Sequence, residues 1–147
     1  MQVSELMSRE VKIASPEDTL QQAARWMAQY DIGALPVGQD DRMLGIITDR
    51  DIVVRGDADG RDPTQTVVGE ILVYGDVRYC FDDEEIEAVA HNMAQLQIRR
   101  LPVLNRSKRL VGMISLGDIA AQTSFQTAGF ALRGVSQRAR DADQAAF

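Results

Sequence analysis

Aromatic side chains are scarce in this chain: Phe, Tyr and Trp make up 5% of its 147 residues. Its core must therefore be aliphatic, and with 45% hydrophobic residues there is enough Ile, Leu, Val, Met and Ala for one compact domain or two very small ones. Cysteine occurs once, at Cys80, which excludes an intramolecular disulfide and fits a reducing compartment. Histidine also occurs once, at His91, and nothing around either residue builds a nucleophile–base pair. A phosphate loop with its lysine and a dinucleotide glycine fingerprint are both missing, so no enzymatic activity is expected. No apolar run approaches the roughly 20 residues of a membrane span. Residues 1–10 lack a signal-peptide core, and the expected location is the cytoplasm. An excess of basic charge is absent too. The formal net charge is −6, which argues against general nucleic-acid binding. Asp57-Ala58-Asp59 begins like a calcium loop, but Asp62 stands where that loop needs glycine, so no metal site is expected.

What the chain does have is a duplication. Leu35-Pro36-Val37 returns 66 residues later as Leu101-Pro102-Val103, and Val11 with Val77 and Met27 with Met93 keep that offset. Gly45 and Gly112 are 67 apart, so one residue is inserted in the polar stretch 105–109. Near the start, Val3-Ser4-Glu5-Leu6 answers Val68-Gly69-Glu70-Ile71 at an offset of 65. Insertions confined to polar segments are what loops tolerate.

Each copy reads as strand, helix, strand, strand, helix, an α/β (α+β) unit. Val11-Lys12-Ile13 and Val77-Arg78-Tyr79 alternate like short strands. Leu20, Ala23, Ala24 and Met27, then Ile86, Val89, Ala90 and Met93, carry helical stripes. Ser15-Pro16 is expected to start the first helix, and the acidic run 82–85 to place negative charge at the start of the second. Strands are expected over 35–37 and 43–47, then 101–104 and 110–114, with turns at 39–42 and 105–108. The last helices are expected over 48–55 and 115–122. The organisation is thus a first domain over 1–58, a Gly/Pro/Asp-rich linker over 59–66, a second domain over 67–124, and an extension over 125–147 that is partly helical, then frayed.

The segment Gly45-Ile46-Ile47-Thr48-Asp49-Arg50-Asp51 recurs as Gly112-Met113-Ile114-Ser115-Leu116-Gly117-Asp118. A strand ends in a hydroxyl and opens a helix with a carboxylate three residues on. Free backbone N–H groups at such a place suit a phosphate or a sugar. An equally physical reading is a capping box variant, in which hydroxyl and carboxylate serve only the helix.

With the paired Leu-Pro-Val segments and this pair of segments in the same order, the chain resembles a tandem of cystathionine-beta-synthase (CBS) domains over about residues 3 to 122. Asp31-Ile32-Gly33-Ala34-Leu35-Pro36-Val37 and Thr48-Asp49-Arg50-Asp51-Ile52-Val53 carry a closer similarity to stand-alone two-domain members of the hypoxic response protein 1 type. Some of those add cysteines and histidines for a disulfide or a metal, which the single Cys80 and His91 do not support here. The resemblance implies two repeats packed as a pseudo-two-fold pair, with a regulatory cleft between them for AMP, ADP, ATP or S-adenosylmethionine. It implies that Asp51 and Asp118 accept hydrogen bonds from ribose hydroxyls, a role one carboxylate can fill towards a vicinal diol. Thr48 and Ser115, with Arg50, Arg55, Arg99 and Arg100, are the candidates for phosphate. The adenine is expected against Ile13, Ala14, Gly33, Leu35 and Pro36 in one site, and against Tyr79, Cys80, Ile98, Leu101 and Pro102 in the other. Arg99 stands at the equivalent of Gly33, so the second pocket is expected to be narrower or more basic. Family members commonly pair into a flat homodimeric disc, here through Ile52, Val53 and Ile119, and a separate effector protein would read the output. The competing reading is a ligand-free dimerisation or interaction module. Leu35, Val37, Leu101 and Val103 read equally as core, Arg99-Arg100 as an exposed pair, Trp26 as a packing or interface residue, His91 as solvated and Cys80 as a small buried apolar residue.

Overall fold

The computed structural model describes residues 1–40, 42–74 and 77–145. Asp41 of the expected 39–42 turn, and Ala146 and Phe147 of the expected frayed tail, lie outside them. Two compact units emerge, and they are not the two sequence repeats: one comprises residues 11–77, the other residues 1–10 with 78–147.

In the 11–77 unit, helix α1 (Leu20–Tyr30) buries Leu20, Ala23 and Met27. It starts at Thr19, whose hydroxyl accepts from the Gln22 N–H, and not at Ser15-Pro16. Ser15 instead opens a turn that Asp18 closes by accepting its N–H at 2.7 Å. Strands β1 (Ala34–Gln39) and β2 (Arg42–Thr48) pair antiparallel, with Leu35 opposite Ile47. Thr48 caps a single α-turn, α2 (Asp49–Asp51), which continues as a π-helical turn over Ile52–Asp57. A short helix, α3 (Val68–Ile71), completes the unit. Its core holds Ala14, Leu20, Ala23, Met27, Leu35, Val37, Ile47, Val68, Ile71 and Leu72. Trp26 packs at the margin, and the Lys12 ammonium sits 4.2 Å from its ring centre.

The other unit repeats this plan with β3 (Cys80–Phe81), α4 (Ile86–Leu96), β4 (Arg100–Leu104), β5 (Leu110–Ser115) and α5 (Leu116–Gln122). The strand order is β3-β4-β5, parallel then antiparallel. The stretch with the one-residue insertion carries Arg106, which grips Asp83 with three hydrogen bonds and lies 4.0 Å over the Phe81 ring. These bonds hold the Asp83 carboxyl below its usual range.

The heads of the repeats are exchanged. Val3, Leu6 and Met7 lie in the core of the second repeat, whereas Val68, Ile71 and Leu72 lie in the core of the first. The docking bonds correspond in the two units. Val3 and Ser4 donate to the carbonyls of Glu84 and Asp82, and Val68 and Gly69 donate to those of Asp18 and Pro16. The first N–H of α4 finds the Met1 carbonyl, and that of α1 finds the Thr66 carbonyl. The stretch 59–66 that reads as a linker therefore supplies helix caps, since Pro63 also accepts from Gln21 and Thr66 is buried.

No strand forms at Val11-Lys12-Ile13 or Val77-Arg78-Tyr79. Pairing begins one residue later, at Ala14 opposite Val37 and at Cys80 opposite Val103. The cause is chemical. The next ladder bond towards the N-terminus would need an N–H at Pro36 or Pro102 to reach the carbonyl of Lys12 or Arg78, and proline has none. Neither proline lies on a free edge: β1 is flanked by β2 and Ala14, and β4 is the central strand.

The extension forms one long helix, α6 (Phe125–Ala145), where a partly helical and then frayed segment was expected. It buries Ala131 and Val135 and comes so close to α4 that a Cβ on Gly134 would lie 2.6 Å from the Ala94 Cβ. Ile119, expected on an exposed contact surface, is fully buried in the same core as these α6 residues, and His91 stacks on the Phe130 ring at 5.3 Å instead of standing alone in solvent. No described helix is long and apolar enough to cross a membrane.

Candidate functional site

Each unit builds one copy of the recurring hydroxyl–carboxylate segment at the end of its last strand. Thr48 Oγ1 accepts from the Asp51 N–H at 3.1 Å, and Asp51 Oδ2 accepts from the Thr48 N–H at 2.9 Å. Ser115 and Asp118 repeat this at 3.1 and 2.8 Å. Both are reciprocal capping boxes, so the structural role proposed for these residues is real in both copies. It consumes only part of their capacity. The second carboxylate oxygen of each Asp has no hydrogen bond among the described residues, and both side chains are half-buried. Each hydroxyl accepts in the cap and keeps its own proton to donate.

The strand register sets the neighbours. Ala34 lies opposite Thr48 and Arg100 opposite Ser115. The Asp49 N–H donates to the Gly33 carbonyl at 3.0 Å, and the Leu116 N–H to the Arg99 carbonyl at 2.8 Å. Ala14 sits on the far side of β1, its N–H bonded to the Pro36 carbonyl and its carbonyl to the Gly38 N–H, both at 2.9 Å. The fold thus brings Ile13, Ala14, Gly33, Leu35, Pro36, Thr48, Arg50 and Asp51 into one unit. Tyr79, Cys80, Ile98, Arg99, Arg100, Leu101, Pro102, Ser115 and Asp118 fall in the other.

Within these sets the roles separate. Ala14, Leu35, Cys80 and Leu101 spend their side chains in the two cores and leave only main chain to a ligand, and Pro36 and Pro102 are buried as well. Ile13 and Tyr79 are 48% and 41% exposed and make no main-chain hydrogen bond among the described residues, a consequence of the interrupted ladder beside the prolines. That unladdered backbone was not visible to a reading that made both segments strands. The Leu-Pro-Val signal could have revealed it, since a proline inside a paired strand removes a donor. Among the described residues no group of three or more His, Cys, Asp and Glu is placed to hold a metal.

Burial pushes the Cys80 thiol from its ordinary 9.0 up to about 12, with the negative charges of Glu84 and Asp82 adding to the effect. Between these values the unfolded chain has released the proton and the folded chain has kept it. The thiol's contribution therefore lowers stability as pH rises through that window. At pH 8 the folded protein is expected to leave a thiol-specific disulfide reagent unreacted and the denatured protein to consume one equivalent. Rapid labelling of the folded protein would show that Cys80 is accessible.

The CBS-domain family model matches residues 3–56 and 68–122. The CBS domain-containing protein YhcV of Bacillus subtilis is 39% identical over 140 residues, 92% of this chain and 96% of that protein. Hypoxic response protein 1 of Mycobacterium tuberculosis is 40% identical over 117 residues, 79% of this chain and 80% of that protein. A crystal structure of Hypoxic Response Protein I, described with two coordinated zinc ions, matches with a TM-score of 0.72 at 38% identity over 84% of this chain and all of that one. The CBS domain pair of MJ0100, in complex with 5'-methylthioadenosine and S-adenosyl-L-methionine, matches with a TM-score of 0.71 at 25% identity over 82% of this chain and 94% of that one. Two matched segments, two corresponding units and relatives matched over most of their length lead to one conclusion: the chain belongs to the CBS-domain family, as a tandem pair of CBS domains.

Proposed function

We propose that this CBS pair is a non-enzymatic regulatory module that binds an adenosine-containing ligand, AMP, ADP, ATP or S-adenosylmethionine. The observation that carries the reading is the twofold recurrence of a half-buried carboxylate, held in place by its cap and left with one free acceptor oxygen. Asp51 and Asp118 accept from the ribose hydroxyls. The unladdered main chain at Ile13 and Tyr79 meets the base edge, and Gly33 and Ile98 border it. Thr48 and Ser115, with Arg50, Arg99 and Arg100, face the 5′ substituent of the ligand, phosphate where it carries one. The adenosine compounds held by the MJ0100 CBS pair support the class of ligand. Such a ligand moves a conformational equilibrium only through its different affinity for two arrangements. The output passes to a separate effector in the cytoplasm, from a chain that works as a homodimer.

A second reading, a ligand-free interaction module, is favoured by the apolar groups left in solvent, Val53 at 58% and Phe125 at 98%. Thermal melting against a panel of AMP, ADP, ATP, adenosine and S-adenosylmethionine separates the two. A bound ligand at a hundred times its Kd is expected to stabilise by about 2.7 kcal/mol. Melting unchanged by every compound would leave only the second reading. Light scattering at micromolar concentration checks the homodimer.

A further inference from the structure

We infer that the two half-sites divide adenosine ligands by charge: the one at Asp118 takes the phosphorylated compounds, and the one at Asp51 takes those without phosphate, including a sulfonium such as S-adenosylmethionine. This rests on the nucleoside-binding reading above. The two sites correspond position for position, because Ala34 opposes Thr48 as Arg100 opposes Ser115, and the Gly33 carbonyl receives Asp49 as the Arg99 carbonyl receives Leu116. At those corresponding positions the charges differ. The first site has Gly33, Ala34, Asp49, Arg50 and Asp51, two carboxylates and one guanidinium. The second has Arg99, Arg100, Leu116, Gly117 and Asp118, one carboxylate and two guanidiniums.

Geometry reinforces the count. Cross-strand partners point to the same face, so Arg100 shares the face of the Ser115 hydroxyl. Neither Arg99 nor Arg100 has an ion pair or a side-chain hydrogen bond among the described residues, and both remain available to an anion. In the first site a Cβ on Gly33 would stand 3.1 Å from Asp49 Oδ2, so a carboxylate lies where the Arg99 side chain leaves the backbone in the second. Arg50, flanked by Asp49 and Asp51, does not outweigh them. With Arg55, four residues beyond Asp51, counted as well, the first site reaches no more than neutrality, so a polyphosphate there gains no net attraction and a sulfonium meets no excess of positive charge. Near Asp118 a polyphosphate meets two guanidiniums whose planar donors fit its oxygens.

Titration calorimetry of the full chain with ATP, adenosine and S-adenosylmethionine tests this, with R99A/R100A and Asp51→Asn as variants. The parent chain is expected to bind ATP with an affinity that falls as salt rises. R99A/R100A is expected to lose at least tenfold in ATP affinity, to keep its adenosine affinity within twofold and to bind S-adenosylmethionine unchanged. Asp51→Asn is expected to show the converse, losing S-adenosylmethionine and keeping ATP. An ATP affinity unaltered in R99A/R100A while adenosine still binds overturns the division by charge and leaves the nucleoside reading standing. Failure of all three compounds to bind the parent chain overturns both.

Discussion

Replacing Asp118 by Asn is expected to leave the fold intact and to weaken ATP binding roughly ten- to a hundredfold, and Asp51→Asn to do the same to S-adenosylmethionine binding at the other site. The capping box is the reason for choosing Asn. Its amide oxygen can still accept from the Ser115 N–H, as Asp118 Oδ2 does at 2.8 Å, so the helix start is kept. What is lost is the second acceptor and the charge. An NH2 group then faces the ribose hydroxyls, and a charge-assisted bond of about 1.5–3 kcal/mol disappears. Alanine would confound the result, because it also removes the cap, at about 1 kcal/mol. Melting temperature and calorimetric affinity, measured on the same samples, separate the two roles. If both Asn variants bind as the parent chain does, the carboxylates are caps and nothing more.

Deleting residues 2–7 is expected to unfold the second repeat and to leave the first comparatively protected. Val3, Leu6 and Met7 are buried in the core that also holds Ile86, Met93, Leu101 and Ile114. Burying such side chains contributes about 1.5–3 kcal/mol each, so their loss removes on the order of 5 kcal/mol, comparable with the whole stability of a small domain. The deletion also strips partners from the main-chain carbonyls of Asp82 and Glu84. Amide hydrogen exchange gives the readout. Protection at Val103, Met113 and Ile114 is expected to collapse while that at Leu35 and Ile47 persists. Damage confined to residues 11–58 would mean that the head belongs to its own repeat.

Much of the fold is legible in the linear pattern, and where it fails the failures share a cause. The stripes of α1 and α4 arise from neighbours three to four residues apart, and β2 and β5 from short apolar runs, so local pattern suffices. The site was legible as a repeated hydroxyl–carboxylate pair. The capping box was legible as one of two alternatives, but that both pairs would close as caps and still spare an oxygen was not, because it depends on rotamers set by packing. Ile119 shows the limit from another side. By its spacing it resembles Ile52, its counterpart by sequence, yet it is fully buried and Ile52 only partly so, because the second unit has α6 and the first has no equivalent among the described residues.

The sequence by itself determined that a unit of about sixty residues occurs twice, that each unit is strand and helix in a set order, and that one carboxylate per unit stands three residues beyond a hydroxyl. All of these are properties of near neighbours. Only the tertiary structure decided which core each head enters. Two nearly identical aliphatic cores offer Val3 or Val68 almost the same burial, so composition cannot choose between them. Long-range packing and the path of the chain can, and they place each head on the body of the other repeat.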